Sequence, residues 1–162
     1  MTKLAVYPGS FDPITLGHLD IIERALDVVE RLQVVVVHNP NKQPFFTLAE
    51  RVQMVTDALI ERGLMGRVTV DSLESGLLTN YAAELGASVL IKGFRTGVDI
   101  EYELPMARVN RDLAGVETIF LPADPGQGFV SSSLVKQVSD LGGQVTKYVP
   151  GPVALALASA SA

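Results

Sequence analysis

Residues 4–18 have the sequence LAVYPGSFDPITLGH. The apolar run Leu4–Tyr7 predicts a short strand, and Pro8-Gly9 ends it. From Leu16 to Val29 apolar residues recur at spacings of three and four, which predicts a helix with one buried face. A loop that joins a strand to a helix presents free backbone N–H groups and the positive end of the helix dipole to an anion. These residues therefore indicate an α/β fold with an anion site after the first strand.

The alternation of strand and helix continues along the rest of the chain. Four further apolar runs predict strands, at Val34–Val37, Val68–Val70, Val89–Ile91 and Thr118–Leu121. Helical patterns lie between them, including one over about residues 101–113 and one that Ser131-Ser132-Ser133 opens. The predicted fold class is therefore α/β, with a doubly wound, five-stranded parallel sheet. Ligands of such sheets bind beyond the carboxyl ends of the strands.

The composition excludes several classes of protein. With 162 residues, 48% hydrophobic and 19% charged, the chain is neither disordered nor long enough for two ordinary domains. The absence of cysteine excludes disulfides, thiolate metal ligands and a cysteine nucleophile. Only two histidines, His18 and His38, are present, which argues against an all-protein zinc site. The net charge of −5 argues against a nucleic-acid partner, which normally meets a basic face.

The sequence also indicates where the protein acts. Nothing near the N-terminus resembles a signal peptide, and no stretch approaches the roughly 20 apolar residues that span a bilayer. We expect a cytoplasmic protein without a membrane partner. We expect a single domain over residues 1–162, in which residues from about 150 to 162 form a weakly ordered C-terminal tail rich in alanine and serine.

Four sequence blocks resemble a known family. The segment Gly9–His18, GSFDPITLGH, resembles the G-[ST]-F-D-P-x-[TH]-x-G-H signature of the nucleotidyltransferase superfamily. Three further blocks stand in the order found in the bacterial phosphopantetheine adenylyltransferases: FTLAER at 46–51, KGFR at 92–95 with DIEYE at 99–103, and FVSSSLVK at 129–136. The resemblance runs from position 4 to about 150, which is nearly the whole domain.

The resemblance implies a fold and a reaction. The fold is the Rossmann-like nucleotidyltransferase fold, and the reaction transfers the adenylyl group of ATP to 4′-phosphopantetheine, giving dephospho-coenzyme A and pyrophosphate in coenzyme A biosynthesis. The implied cofactor is Mg²⁺, held mainly by ATP phosphates and water and not by protein ligands. The substrate phosphate attacks directly in line, without a covalent intermediate. Since its second pKa lies near 6, this phosphate is largely ionised at pH 7 and needs no general base.

The same resemblance implies a homohexamer, feedback binding of coenzyme A and a set of site residues. The implied catalytic residues are His18, Lys42 and Arg95. The residues implied for ATP are Ser10, Phe11, His18, Gly93, Phe94, Arg95, Glu103, Gln127, Gly128, Phe129, Val130, Ser131, Ser132 and Ser133. Those implied for phosphopantetheine are Ser10, Lys42, Leu77, Leu78 and Lys92. The sequence leaves open whether His18 acts as a cation or as a neutral donor, because a helix N-terminus tends to lower the pKa of an imidazole.

Two positions depart from the family pattern. Lys92 stands where family members often have arginine; lysine keeps the charge but lacks the planar fork that binds a phosphate through two donors. Pro105 lies inside a predicted helix, where proline removes a backbone hydrogen bond or forces a kink.

Two alternative functions remain open on sequence grounds. One is a different nucleotidyltransferase, such as a glycerol-3-phosphate cytidylyltransferase or a nicotinamide-mononucleotide adenylyltransferase. Thr15 in place of histidine, and the run from Arg95 to Glu103, favour the phosphopantetheine enzymes instead. The other is a nucleotide-binding module without catalysis, because a fold does not fix a function. The presence of His18, Lys42 and Arg95 argues against it.

Overall fold

The computed structural model of the chain describes residues 2–160. Its strands are β1 (Thr2–Gly9), β2 (Val29–Val37), β3 (Val68–Leu73), β4 (Val89–Phe94) and β5 (Glu117–Pro122). Its helices are α1 (Leu16–Ala25), α2 (Leu48–Glu61), α3 (Leu78–Glu84), α4 (Gly97–Ala114), α5 (Ser132–Asp140) and α6 (Gly151–Ala160). Within this range no helix combines the length and the apolar character needed to cross a membrane.

The five strands form one parallel sheet in the order β3-β2-β1-β4-β5. In the centre of the sheet, Val6 of β1 is paired with Gln33 of β2 on one side and Leu90 of β4 on the other. The chain winds outward from β1 to β3, then returns and winds outward through β4 and β5. This order confirms the predicted doubly wound sheet, and it places a crevice between the carboxyl ends of β1 and β4.

Helices cover both faces of the sheet. Successive residues of a strand point to opposite faces, so Ala5 and Tyr7 belong to the larger apolar cluster and Val6 to the smaller one. The larger cluster includes side chains of α1, α2, α5 and α6, and the smaller one includes Ala82 of α3. Burial on both faces explains why Val34–Val37 is apolar without alternation.

All five strands are longer than predicted, and β1 includes Pro8 and Gly9. Two of the changes move residues discussed above into a strand. Val29 was expected on the buried face of the first helix, but α1 ends at Ala25 and Val29 is the first residue of β2, paired with Thr2. Val29 follows the apolar Leu26 by three positions, which fits a helix, but the pairing of Val29 with β1 determines its conformation. The fourth strand was expected to end at Ile91, but it continues to Phe94. Lys92 therefore lies within the strand, paired with Phe120, and not in the loop beyond it.

Helix α4 is longer than predicted. It begins at Gly97 because the carboxylate of Asp99 accepts hydrogen bonds from the backbone N–H groups of Arg95 (2.8 Å) and Thr96 (3.0 Å). The helix continues through Pro105 to Ala114.

The C-terminal segment differs from the expected weakly ordered tail. Gly151–Ala160 form α6, and Val153 and Leu157 of this helix are fully buried in the larger cluster. The two residues are four apart, so they lie on one face of the helix and pack against the core together. Positions 161 and 162 of the expected tail lie outside the described residues.

Candidate active site

A cleft of about 970 Å³ lies at the carboxyl ends of β1, β2 and β4. It is bounded by the β1–α1 loop, the loop after β2, the segment before α3, one side of α4 and the N-terminal end of α5. The cleft brings together most of the residues that the sequence implied for two substrates. They are Ser10, Phe11, His18, Lys42, Leu77, Leu78, Lys92, Gly93, Phe94, Arg95, Glu103, Gln127, Val130, Ser131, Ser132 and Ser133.

His18 lies in the first turn of α1, where it forms a capping box with Thr15. The backbone N–H of Thr15 donates to His18 Nδ1 at 3.0 Å, and the backbone N–H of His18 donates to Thr15 Oγ1 at 3.3 Å. Because Nδ1 accepts a hydrogen bond from a backbone N–H, the proton of the neutral ring lies on Nε2. The helix cap thus fixes the tautomer of His18 and leaves its second ring nitrogen as a donor.

The surroundings of His18 keep the imidazole neutral. Burial, and then the positive charge of Arg95, lower the pKa of His18 from its ordinary 6.5 to about 4. The ring of Phe11 packs edge-on against the imidazole, with the ring centroids 5.0 Å apart. Without bound substrates, His18 is therefore an uncharged hydrogen-bond donor at pH 7.

Asp12 connects three segments of the cleft. Its carboxylate accepts hydrogen bonds from the backbone N–H groups of Phe45 (2.8 Å) and Phe46 (2.9 Å), and it forms an ion pair with Lys136 of α5 at 3.1 Å. Burial raises the pKa of Asp12, but these donors and the lysine charge outweigh burial and hold the pKa below its usual value. Asp12 thus joins the β1–α1 loop to the loop before α2 and to α5.

Arg51 of α2 is almost completely buried beside Asp12 at the base of the cleft. Within residues 2–160, its guanidinium donates hydrogen bonds only to main-chain carbonyls, which belong to Ser10, Val37 and Phe46. Burial lowers the pKa of Arg51, and the charge of Asp12 opposes that shift. An arginine side chain remains protonated in proteins, so a positive charge stays in the wall of the cleft.

Two further ion pairs involve basic residues of the cleft. Lys92 of β4 lies 3.3 Å from the carboxylate of Glu103 on α4, which connects residues implied for two different substrates. Arg95 lies 3.7 Å from Asp99, the residue that caps α4. Lys42 is exposed in the loop after β2. These three cations approach the cleft from different elements, so a polyanion bound between them would meet positive charge from several sides.

The N-terminal end of α5 supplies further donors. Ser131 is the N-cap residue, and its hydroxyl accepts a hydrogen bond from the backbone N–H of Leu134 at 3.1 Å. The hydroxyl of Ser132 donates to the carbonyl of Pro13 at 2.8 Å, which attaches α5 to the β1–α1 loop. Two of the three serine hydroxyls therefore organise the protein. The helix N-terminus itself, with its free backbone N–H groups, remains suited to a phosphate.

Two of the residues implied for ATP do not line the cleft. Gly128 and Phe129 lie in the turn before α5, and Phe129 packs edge-on against Tyr148 with ring centroids 5.8 Å apart. The structure therefore gives no cleft contact for either residue.

Sequence reasoning also missed Asp12, Arg51 and Lys136 as site residues. All three stand inside the quoted blocks, at GSFDP, FTLAER and SSSLVK. Their position in those motifs was the available signal, but their contacts join segments far apart in sequence.

The donors of the cleft suit anions better than a protein-bound metal. Residues 2–160 contain no group of three or more histidine, aspartate or glutamate side chains placed to hold a metal ion. Asp12 and Glu103, two carboxylates of the cleft, are already paired with lysines. A divalent cation that arrives with a polyphosphate would fit this donor set, because Mg²⁺ is usually bound by substrate phosphates, waters and at most one or two carboxylates.

Comparisons with known proteins agree with this geometry. A sequence model of the cytidylyltransferase-like family matches residues 6–138. A phosphopantetheine adenylyltransferase of Clavibacter michiganensis is 55% identical to the chain, covering 98% of the chain and 97% of the relative. One of Thermotoga neapolitana is 51% identical, covering 95% and 94%. The solved structure of a putative nicotinate-nucleotide adenylyltransferase from Vibrio parahaemolyticus superposes with a TM-score of 0.72 over 98% of the chain and 99% of its own; at 17% identity it shows the fold alone.

The fold, the cleft and the relatives point to the same family. The family model covers most of the chain, and relatives that share about half of its residues match it over nearly their full length. Each of the four sequence blocks contributes residues to the cleft at one edge of the sheet. The chain therefore belongs to the phosphopantetheine adenylyltransferase family, within the cytidylyltransferase-like proteins.

Proposed function

We propose that this protein transfers the adenylyl group of ATP to 4′-phosphopantetheine, giving dephospho-coenzyme A and pyrophosphate in coenzyme A biosynthesis. The observation that carries the proposal is that a neutral histidine donor, two helix N-termini and three basic side chains converge in one cleft. Such a site can hold two phosphate-bearing substrates side by side. The names of relatives that are 55% and 50% identical over 98% of the chain support the same assignment.

The proposed reaction is a direct in-line displacement. An oxygen of the substrate phosphate forms a bond to the α-phosphorus of ATP, and the bond from the α-phosphorus to the bridging oxygen of the β-phosphate breaks. The electron pair of that bond leaves with pyrophosphate, so no covalent enzyme intermediate forms. The site needs no general base, because the attacking phosphate is largely ionised at pH 7. The work of the protein is to align the two substrates and to stabilise negative charge in the transition state.

In this proposal His18 donates its Nε2–H to an oxygen of the α-phosphate. The capping box with Thr15 holds the ring in place before the substrate arrives, so the donor does not have to reorganise during the reaction. In the protein without substrates the pKa of His18 is about 4, so ATP meets a neutral donor at pH 7.

The remaining side chains divide between the two substrates. Lys42 and Lys92 bind the attacking phosphate, with Leu77 and Leu78 along the pantetheine arm. Ser10 contacts both substrates. The residues proposed for ATP are Phe11, Gly93, Phe94, Arg95, Glu103, Gln127, Val130 and Ser131–Ser133. The ion pair between Lys92 and Glu103 lies where the two sets meet.

We propose that magnesium enters the site with ATP. It would be held by phosphate oxygens and water, with Arg95 and the N-terminus of α5 sharing the phosphate charge. When bound, the ion neutralises charge on the triphosphate. The protein residues orient the nucleotide around it.

We further propose a homohexamer. Helix α4 has one buried residue, Asn110, and exposes apolar side chains, with Val98 71% and Tyr102 84% accessible. Exposed apolar patches of this kind mark protein interfaces. Light scattering should give six times the monomer mass, and Val98→Asp should lower it. A monomeric wild-type protein would contradict the proposal.

Coenzyme A would act as a feedback inhibitor in the cytoplasm, where we place the protein. It contains the whole product, dephospho-coenzyme A, plus one further phosphate, so it would occupy the same cleft. Inhibition competitive with 4′-phosphopantetheine is expected, and the absence of inhibition would contradict the proposal.

The proposed reaction is tested by pyrophosphate release from ATP, Mg²⁺ and 4′-phosphopantetheine. CTP with glycerol 3-phosphate is the matched control, because it supports the related cytidylyltransferase reaction. Release with the first pair alone is expected. Release with the control pair alone, or with neither, would refute the assignment.

A further inference from the structure

Arg51 is a buried cation that has not been assigned to either substrate. Its side chain is 2% exposed, although it lies at the base of a cleft open to solvent. A buried charge lowers stability unless hydrogen bonds and opposite charge compensate the loss of water. Within residues 2–160 Arg51 forms no direct ion pair, so its main-chain hydrogen bonds, together with the nearby charge of Asp12, compensate its burial.

Those hydrogen bonds join both ends of one loop. Arg51 Nη1 donates to the carbonyl of Val37, the last residue of β2, at 3.2 Å. Arg51 Nε donates to the carbonyl of Phe46, just before the N-cap of α2, at 3.2 Å. The loop between these carbonyls carries Lys42 near its middle. One rigid guanidinium therefore fixes where this loop leaves the sheet and where it enters the helix.

The same guanidinium reaches the β1–α1 loop. Arg51 Nη1 donates to the carbonyl of Ser10 at 2.7 Å. Asp12, two residues further along, accepts the backbone N–H groups of Phe45 and Phe46, which draws the two loops together from the other side. Ser10 and Lys42, 32 positions apart, are thus attached to a common buried group.

We propose that Arg51 is a positioning residue for the attacking phosphate: it holds Ser10 and the Lys42 loop in register with each other. This inference rests on the proposed function and adds a residue to it. Arg51 holds the Lys42 loop, which is proposed for phosphopantetheine alone, and Ser10, which is proposed for both substrates; the other residues proposed for ATP make no hydrogen bond with Arg51 within residues 2–160. Displacing a positioned group by about 1 Å can lower a rate by up to two orders of magnitude, so loss of the clamp has a large effect without any loss of a substrate contact.

The test compares Arg51→Lys with a matched control, Arg67→Lys. Arg67 also donates to three carbonyls, those of Leu26, Val29 and Glu30 at 2.7–3.0 Å, but it lies outside the cleft. Lysine keeps the charge in both cases and loses the planar fork. For Arg51→Lys we expect the KM for 4′-phosphopantetheine to rise about tenfold or kcat to fall by that factor, with a smaller rise in the KM for ATP, because Ser10 contacts both substrates but Lys42 only one. Arg67→Lys should leave all three constants within twofold.

Hydrogen exchange gives a second readout that does not depend on turnover. In the wild-type protein, the backbone amides of residues 38–47 should exchange more slowly than those of a typical exposed loop. Their exchange should be faster in Arg51→Lys and unchanged in Arg67→Lys. Fast exchange of this loop in the wild type would overturn the proposal even if Arg51→Lys failed to fold. So would equal rises in the KM values of both substrates, or unchanged kinetics in a folded Arg51→Lys variant. Failure of the proposed function can be distinguished from failure of the proposal for Arg51, because the wild-type enzyme would then show no turnover.

Discussion

Replacing His18 with alanine removes two interactions that can be separated by experiment. One is the Nε2–H donor in the cleft. The other is the helix cap, in which His18 Nδ1 accepts the backbone N–H of Thr15 at 3.0 Å. Loss of a preorganised donor to developing charge lowers kcat by about 10²- to 10³-fold, which corresponds to about 3–4 kcal/mol. Loss of the cap alone costs about 1 kcal/mol of stability.

A second capping box in the same protein provides the matched control. At the start of α2, Glu50 accepts the backbone N–H of Thr47 at 2.7 Å, and the backbone N–H of Glu50 donates to Thr47 Oγ1 at 3.3 Å, as in the His18 cap. Glu50→Ala should therefore cost similar stability and leave kcat within twofold. Steady-state pyrophosphate release and urea unfolding measure both quantities. Equal kcat in His18→Ala and the wild type would refute the assigned role of His18.

The low pKa of His18 also predicts how stability depends on pH. The unfolded chain binds a proton at His18 below pH 6.5, whereas the folded protein does so only near pH 4, so acidification across this interval favours unfolding. At about 1.4 kcal/mol per pH unit the total loss is about 3 kcal/mol. His18→Ala should remove this part of the pH dependence. If the unfolding free energy of His18→Ala fell with pH as steeply as that of the wild type between pH 6.5 and 4, the pKa of His18 in the folded protein would not be lowered.

Three further substitutions test other parts of the structure. Gly17→Ala should keep or slightly raise stability, because the new methyl group meets other atoms at 3.5 Å or more, yet lower kcat/KM for ATP about tenfold by blocking close approach of a phosphate. Leu157→Ala should lower the unfolding free energy by about 3 kcal/mol, while Leu155→Ala, at a 73% exposed position, should change it by less than about 0.5 kcal/mol in the same urea titration. Asp12→Asn should cost about 2 kcal/mol at pH 7 and flatten the loss of stability below pH 3.8, because the depressed pKa of Asp12 contributes stability above that pH which is lost on acidification.

Local sequence pattern predicted the fold because each strand and helix buries its own apolar residues. The runs at Val34–Val37 and Val89–Ile91 lie in strands of the sheet, as expected. The errors occurred where partners distant in sequence determine the conformation. Val29 fits a helical spacing but pairs with β1, and Lys92 is polar but continues β4 beside β5. The alanine-rich segment around Leu157 has little local signal, and its order comes from packing against the core.

The candidate site was predictable only in part, for the same reason. His18 and Ser131 stand at helix N-termini, where local sequence indicates free donors. The burial that lowers the pKa of His18 and the contacts of Arg51 with carbonyls up to 41 positions away depend on how the loops meet. No pattern within a single segment reports such contacts.

The identity of the reaction product decides whether the cleft joins the two proposed substrates. Mass spectrometry of a mixture of the protein, ATP, Mg²⁺ and 4′-phosphopantetheine should detect dephospho-coenzyme A, formed in equal amount to pyrophosphate. Omitting 4′-phosphopantetheine should abolish both products. Pyrophosphate without dephospho-coenzyme A would mean that another group attacks ATP, and it would contradict adenylyl transfer to phosphopantetheine.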